Sequence, residues 1–347
     1  MKKAQLSLPL LWSGMLLLIL LTGLFSLSVG EYEIPFVHIL AAISQELGLP
    51  FGAEQPVRPE ELAVLWHIRM PRTLVGLMVG GSLGISGAVM QGIFSNPLAD
   101  PGILGVSSGA AVGAVAAIAG GCTAVSLYTL PFCAFLGAVL SVGITVALSM
   151  RHGRVPVMTL LLSGVVVGML LAAVTAAILT VVNEQKLQQY LFWTIGGLDY
   201  RRWEHVTLGI IPISVGVFFL LFMARHLNVL VLGEVEARAV GMPVTTYRLL
   251  LLLAAAMTTA AGVSISGNIG FVGLVVPHAM RFLTGPDHRR LLPASVVAGG
   301  IFLVFCDTLG RVIVPGVEVR VGIMTAFIGT PYFLYLLRRS RNTFDTD

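Results

Sequence analysis

Lysine is almost missing from this 347-residue chain: Lys2, Lys3 and Lys186 are all of it, and none follows a glycine. A loop that cradles nucleotide phosphates needs Gly-Lys-Ser/Thr, so the chain carries no such site, and any ATP-driven work must draw on another subunit. Charge of either sign is scarce, at 11% of residues against ~25% in soluble domains. Only three cysteines occur, Cys122, Cys133 and Cys306, all in apolar surroundings and without CxxC or Cys/His spacing. That excludes a disulfide scaffold and a thiolate metal site and leaves small packing residues. The net charge of +4 is spread without a basic arm, which argues against nucleic acid as a partner. No His/Glu metal pair and no GxSxG element falls within an apolar run, so neither a metal site nor a catalytic residue is expected.

What is present is apolar: 56% hydrophobic residues and a mean hydropathy of +0.92. Charge-free runs cover 4–30, 73–99, 101–150, 155–183, 205–224, 249–280, 291–306 and 321–337. A membrane-crossing helix needs about 20 apolar residues. The 101–150 run must therefore divide, most simply near Leu130-Pro131, and the 249–280 run at Ser266-Gly267-Asn268. The pattern predicts an all-α polytopic membrane protein of about ten helices. Arginines and lysines recur at alternate ends of the runs, which places those ends, and both termini, in the cytoplasm. The first run is too long for the apolar core of a signal peptide and has no clear cleavage site, so it reads as an uncleaved helix. The whole of 1–347 is expected to form one transmembrane domain. Segments 31–68, with one short surface helix, and 183–204 lie outside; the largest cytoplasmic connection is 224–246.

Three features stand out from this pattern. Arg69/Arg72, Arg201/Arg202 and Arg311 fall on the outer side, normally poor in cations. Arg69 and Arg72 share a helix face, with Pro71 at a first-turn position, and together with Arg311 they read as exposed cations suited to an acidic docking partner. Asp307, four residues before Arg311, is placed to pair with it. Asn96-Pro97-Leu98-Ala99-Asp100-Pro101 breaks the backbone near membrane depth, because two prolines this close cannot sit inside a regular helix. Within 232–243, an acidic, alanine-containing stretch stopped by Gly241 and Pro243 predicts a short cytoplasmic helix. Its acidic residues disfavour the anionic inner leaflet and favour a protein partner. His278 reads as a hydrogen-bonded packing residue. Trp12, Trp66, Trp193 and Trp203 fall near span ends as interfacial anchors, and the aromatics of 183–204 suit either anchoring or an outer vestibule.

Several of these stretches resemble one family in order and spacing. They are Arg69-Met70-Pro71-Arg72, Ser86 to Gly92, Asn96 to Pro101, Leu104 to Ala110, Leu232-Gly233-Glu234 with Ala237-Arg238 and Gly241-Met242-Pro243, Gly270 to His278, Gly285 to Arg289, and Gly322 to Pro331. This is the pattern of the iron-chelate and vitamin B12 ABC importer permeases (FecCD/BtuC type). The resemblance implies a BtuC-like permease fold in a bacterial or archaeal plasma (inner) membrane, working as a homodimer with the pathway on the dimer axis. It implies two ATP-binding cassette subunits below, which carry the ATP and Mg, and no cofactor on this chain. It also implies a periplasmic or lipid-anchored substrate-binding protein above. The cargo would be an iron chelate (ferric siderophore or haem), which is favoured because most of the family handles one, or cobalamin. By the same resemblance, Asn96 and Leu98 form one half of a cytoplasmic gate, and the Arg151-to-Met158 loop, ending in Val157 and Met158, forms the other. Leu232, Gly233, Glu234, Ala237, Arg238 and Gly241 couple to the ATPase, and Arg69, Arg72 and Arg311 receive the binding protein. Arg320 departs from the family, standing where many relatives have proline. An ion-coupled carrier or channel is the alternative, although Asp307 is nearly alone as an intramembrane acid.

Overall fold

The computed structural model describes residues 8–46, 48, 57–150 and 155–344, and among these every regular element is helical. Helices α1 (Leu8–Ser28) and α2 (Phe36–Glu46) lead to α3 (Pro59–Val64), which continues through a π turn, Leu65–Arg69, into α4 (Met70–Ile93). Next come α5 (Val106–Ala119), α6 (Thr129–Ser149), α7 (Val157–Leu179), α8 (Glu184–Ile195) and α9 (Trp203–Phe222). Two short helices, α10 (Ala224–Val231) and α11 (Glu234–Ala239), precede α12 (Val244–Ser266), α13 (Val272–Thr284), α14 (His288–Val312) and α15 (Val321–Phe344). Among the described residues, seven helical runs are long and apolar enough to span a bilayer, and three more, Val106–Ala119, Val272–Thr284 and Val321–Leu334, are shorter and apolar. Together they give the expected ten.

Two expectations about boundaries need correction. The 101–150 run divides not at Leu130-Pro131 but across 120–128, where Gly121 adopts φ +69 ahead of a 3-10 turn, Cys122–Ala124. Pro131 instead sits in the first turn of α6, where its missing N–H would have had no partner anyway. The 31–68 segment holds two helices rather than one, and the second belongs to a continuous 35-residue run, Pro59–Ile93. Pro71 is therefore not near the start of its helix. The π turn accommodates it: the Met70 N–H donates to Leu65 O, five residues back, and this widened turn relieves the clash a proline ring makes with the preceding turn. The predicted break at 266–268 is present. Gly267 there has φ +77, and a Cβ on it would lie 2.3 Å from Trp193 O.

The centre of the bundle is α4, 83% of whose apolar window is buried, whereas α1, α7 and α9 lie at the periphery with 22%, 17% and 28%. Lipid removes the hydrophobic drive between helices, so close backbone approach carries the packing. A Cβ on Gly80 would stand 2.2 Å from Gly299 O, one on Gly84 2.3 Å from Ser295 O, and one on Gly87 2.0 Å from Gly273 O. The glycines of α4 thus seat it directly on the backbones of α13 and α14. The same device joins α5 to α6 through Gly109 and Gly137.

Candidate functional sites at the two membrane faces

At the outer end, α4 and α14 bring Arg72 and Asp307 together across 235 residues of chain. Arg72 Nε and Nη2 each reach a different Asp307 oxygen at 2.9 Å, a bidentate pair, and Nη1 reaches Glu318 Oε2 at 2.8 Å. The pairing expected within α14, Arg311 to Asp307, is present but longer at 3.6 Å. Arg311 is turned instead toward the end of α1, donating to Ser26 O at 3.0 Å and Val29 O at 3.1 Å. Arg69 does the same, with Leu27 O at 2.6 Å, Ser28 O at 2.8 Å and Tyr32 O as acceptors. The last carbonyls of a helix have no partner within it and carry its partial negative charge. Two guanidinium groups supply what α1 lacks.

The expectation that these arginines are exposed is therefore corrected: Arg69, Arg72 and Arg311 are only 4%, 8% and 7% exposed. The route by which Arg72 meets the surface is Glu318, whose side chain is 41% exposed. Both line an outer cavity of about 730 Å³ shared with Asp199, Arg201, Arg202 and Arg320. Arg320 fills its unusual position by pairing with Asp199 at 3.0 Å and lying over the Phe192 ring at 4.4 Å. Burial pushes the Arg201 guanidinium down to about 10, against the opposing pull of Asp199. Of the aromatics in 183–204, Tyr190 and Trp193 are buried and stacked on each other, so Trp193 is no interfacial anchor, while Tyr200 is 87% exposed.

At the inner end, α4 stops at Ile93 and the chain turns sharply. Ser95 takes φ 47, and Asn96 Oδ1 accepts the Leu98 N–H at 2.9 Å, closing an Asx turn. Asp100 Oδ1 accepts from Gly102 N at 2.8 Å and caps a 3-10 turn, Pro101–Leu104; burial pushes its carboxyl up. Asn96 and Leu98 are exposed beside this turn. Helix α7 packs on the same turn so tightly that a Cβ on Gly164 would lie 2.1 Å from Ile103 O. Val157 and Met158 open α7, and Met158 is 73% exposed. Arg151 to Arg154 lie outside the described residues. Among those described, no hydrogen bond or ion pair joins Asn96 or Leu98 to Val157 or Met158.

The short helix expected in 232–243 forms as α11, Glu234–Ala239. Gly233 at φ +121 and Gly241 at φ +80 bracket it, conformations that side chains rarely adopt. Acids occupy its first turn and Arg238 its last, as the helix dipole favours. Ala237 is fully buried against the protein, whereas Leu232, Val235 and Val240 are 69%, 77% and 73% exposed. A six-residue helix thus leaves apolar side chains exposed while its charges pair along its flank. Glu234 meets Arg238 at 2.5 Å and Arg248 at 3.2 Å.

Asn228, Asp287 and His288 hold the mount of α11, a role their sequence pattern did not disclose. Asn228 of α10 donates to Asp287 Oδ1 at 2.7 Å and accepts the His288 N–H at 2.9 Å. This ties α10 to the start of α14. The Asp287 carboxyl is held below the usual carboxylate range by hydrogen bonding from Arg289. His226 stacks on Tyr247, centroids 4.3 Å apart, and ties α10 to α12. The signal available was Gly285-Pro286-Asp287-His288, a helix stop followed by an N-cap, which marks a boundary but names no partner 60 residues away. His278 packs as expected, its ring edge-on against Phe282 and Tyr332, but among the described residues its Nε2 has no hydrogen-bond partner.

Among the described residues, ten apolar helices around a glycine-seated central span describe a multi-pass membrane protein. The FecCD transport family is matched over residues 17–339, and the chain belongs to it. It is 45% identical over 309 residues to the cobalamin import permease BtuC of Halobacterium salinarum, covering 89% of this chain and 80% of that one. It is 38% identical to the vitamin B12 import permease BtuC of Klebsiella pneumoniae, over 94% and 93% of the two chains. A solved structure described as an inward-facing metal-chelate type ABC transporter matches with a TM-score of 0.84 and 31% identity, covering 95% of this chain and 99% of that one. The chain is thus a transport subunit of the ABC importer class, whose permeases work with ATPase and substrate-binding subunits.

Proposed function

We propose that two copies of this chain form the membrane pathway for cobalamin, delivered from outside by a binding protein and driven by two ATP-binding cassette subunits. The observation that carries this reading is α11, an ordered helix with Leu232, Val235 and Val240 exposed and, among the described residues, nothing covering them. The ATPase seats on that surface and on the residues around it, Gly233, Glu234, Arg238 and Gly241, with Ala237 anchoring the helix from beneath. ATP and Mg belong to that partner. On the outer face, the binding protein's carboxylates reach Arg72 by displacing Glu318, with Arg69 and Arg311 holding the end of α1 in register beneath. Asn96 and Leu98 from each copy close the pathway toward the cytoplasm, with Val157 and Met158 completing the gate. A second copy is supported by an apolar groove of about 590 Å³ between the end of α8 and α15, lined by Ile195, Ile323, Ala326, Phe327 and Pro331.

Cobalamin is favoured by the names of the relatives above; an iron chelate is the second reading, favoured by the metal-chelate description of the structural relative. The test is uptake into liposomes holding the permease with its ATPase and binding protein. ATP-dependent accumulation of cobalamin is expected. Accumulation of ferric chelates alone would replace the cargo, and accumulation driven by an ion gradient without ATP would overturn the importer reading.

A further inference from the structure

Arg248 touches both elements whose motions an importer must connect. It lies in the second turn of α12, its side chain 15% exposed. Nη2 donates to Glu234 Oε2 of α11 at 3.2 Å, and Nη1 donates to the carbonyl of Val155 at 3.3 Å, 93 residues away in sequence. Val155 is 1% exposed and stands two residues before Val157. One planar guanidinium therefore bridges the helix facing the cytoplasm and the segment that opens α7.

Two further features make this bridge movable rather than merely structural. The mount behind it is fixed at several points, through Asn228 to Asp287 and His288 and through His226 stacked on the adjacent Tyr247. By contrast, α11 is joined at both ends by glycines in backbone conformations that side chains rarely adopt, Gly233 and Gly241. The Glu234 carboxylate is also shared: Arg238, on the same helix, holds Oε1 at 2.5 Å while Arg248, on α12, holds Oε2 at 3.2 Å. Arg238 travels with α11 when that helix moves, and Arg248 stays with α12.

We propose that Arg248 is the positioning residue that passes displacement of α11 to the gate segment beginning at Val155. With α11 seated close to α12, Glu234 orients the guanidinium and Arg248 holds the Val155 carbonyl. With α11 drawn away, Glu234 leaves with Arg238, the guanidinium loses its orienting partner, and the hold on Val155 is released. Lysine cannot substitute fully, because a compact ammonium lacks the fork that spans two acceptors in fixed geometry. This inference rests on the proposed coupling role of α11.

The experiment uses the full importer in liposomes, comparing wild type with Arg248→Gln, Arg248→Lys, Glu234→Gln and Glu234→Gln/Arg248→Gln. Hydrolysis stimulated by the binding protein, cargo uptake and co-purification of the ATPase are measured together, with spin labels at Met158 of the two copies reporting gate separation across nucleotide states. Arg248→Gln is expected to retain the ATPase and its hydrolysis while uptake falls about tenfold, within the range of ordinary coupling energies. Arg248→Lys recovers part of that loss, the double variant is no worse than Arg248→Gln alone, and the nucleotide-dependent change at Met158 shrinks in step with uptake. Wild-type uptake in Arg248→Gln, or hydrolysis and uptake falling together with the ATPase lost, overturns the proposal. A fall in uptake with an unaltered Met158 distance change also overturns it. If alanines at Leu232 and Val235 leave ATPase binding unchanged, the coupling role of α11 fails first; if they abolish binding while Arg248→Gln transports normally, only the bridge fails.

Discussion

The two faces of this permease use the same chemistry, arginine against carboxylate, in opposite settings. At the outer end the Arg72 and Asp307 side chains are 9% and 3% exposed; at the inner end Arg238 and Glu234 are 44% and 43% exposed. A buried pair that loses one partner leaves a charge with no water to replace it, and the cost is several kcal/mol. An exposed pair is worth ~0–1 kcal/mol and can be remade in each cycle. The outer cluster is therefore architecture that ties α1, α4 and α14 together, and the inner pairs are contacts fit for exchange.

The sharpest way to break that comparison is Asp307→Ala, which removes the bidentate partner of Arg72 and leaves that buried guanidinium only Glu318. Removing one member of a buried pair costs about 3–5 kcal/mol, so a marked loss of folded yield and a lower thermal midpoint in detergent are expected. A midpoint equal to wild type would mean that water enters the cluster. Replacing Glu234 and Arg238 together with alanine should leave that midpoint unchanged, because an exposed pair contributes ~0–1 kcal/mol. Uptake should fall about tenfold, as loss of a typical coupling energy requires, while hydrolysis persists. Unchanged rates for both would remove α11 from the coupling path.

Between these extremes lies the gate. Cysteines at position 96 in two copies should cross-link in the resting state and lose cross-linking on nucleotide addition; no cross-link in any state would set Asn96 aside. A smaller effect is expected from Glu318→Gln, which weakens the internal competitor for Arg72. Rim charges mainly steer association, so the binding protein should dock with a faster on-rate at low salt, and the gain should vanish at high salt. A slower on-rate would show that Glu318 itself attracts the partner.

The smallest effect concerns pH at the α10 mount. Hydrogen bonding from Arg289 lowers the Asp287 pKa from its ordinary 3.8, so the folded state favours the ionised form. That contribution is fully present above the ordinary value and is lost as pH falls through the lowered one. Hydrogen exchange of the α10 amides should accelerate only in that acid window, and Asp287→Asn should abolish the step.

The division of labour between sequence and fold follows from the range over which each interaction acts. The spans, the break at 266–268 and the short helix ending at Gly241 and Pro243 were legible because each depends on neighbours within a few residues. So was the family, through motifs that lie in order along the chain. The Leu130-Pro131 boundary was misplaced for a local reason: proline is as acceptable in a first turn as in a break, and the glycines at 120 and 121 were the better signal. The start of the second span was missed because a π turn compensates Pro71, and π turns leave little trace in composition.

What the chain alone could not disclose was partnership. Arg69, Arg72 and Arg311 announced themselves as cations that break the positive-inside pattern. Only the packed bundle decided that two of them cap α1 and the third clamps Asp307 and Glu318. Sequence determined that this chain crosses the membrane many times and which family it joins, since hydropathy and motif order are properties of the strand of residues itself. Tertiary structure decided which charges are spent inside the protein and which remain to be exchanged, because a carboxylate finds its arginine across 235 residues only when glycines let α4 and α14 touch.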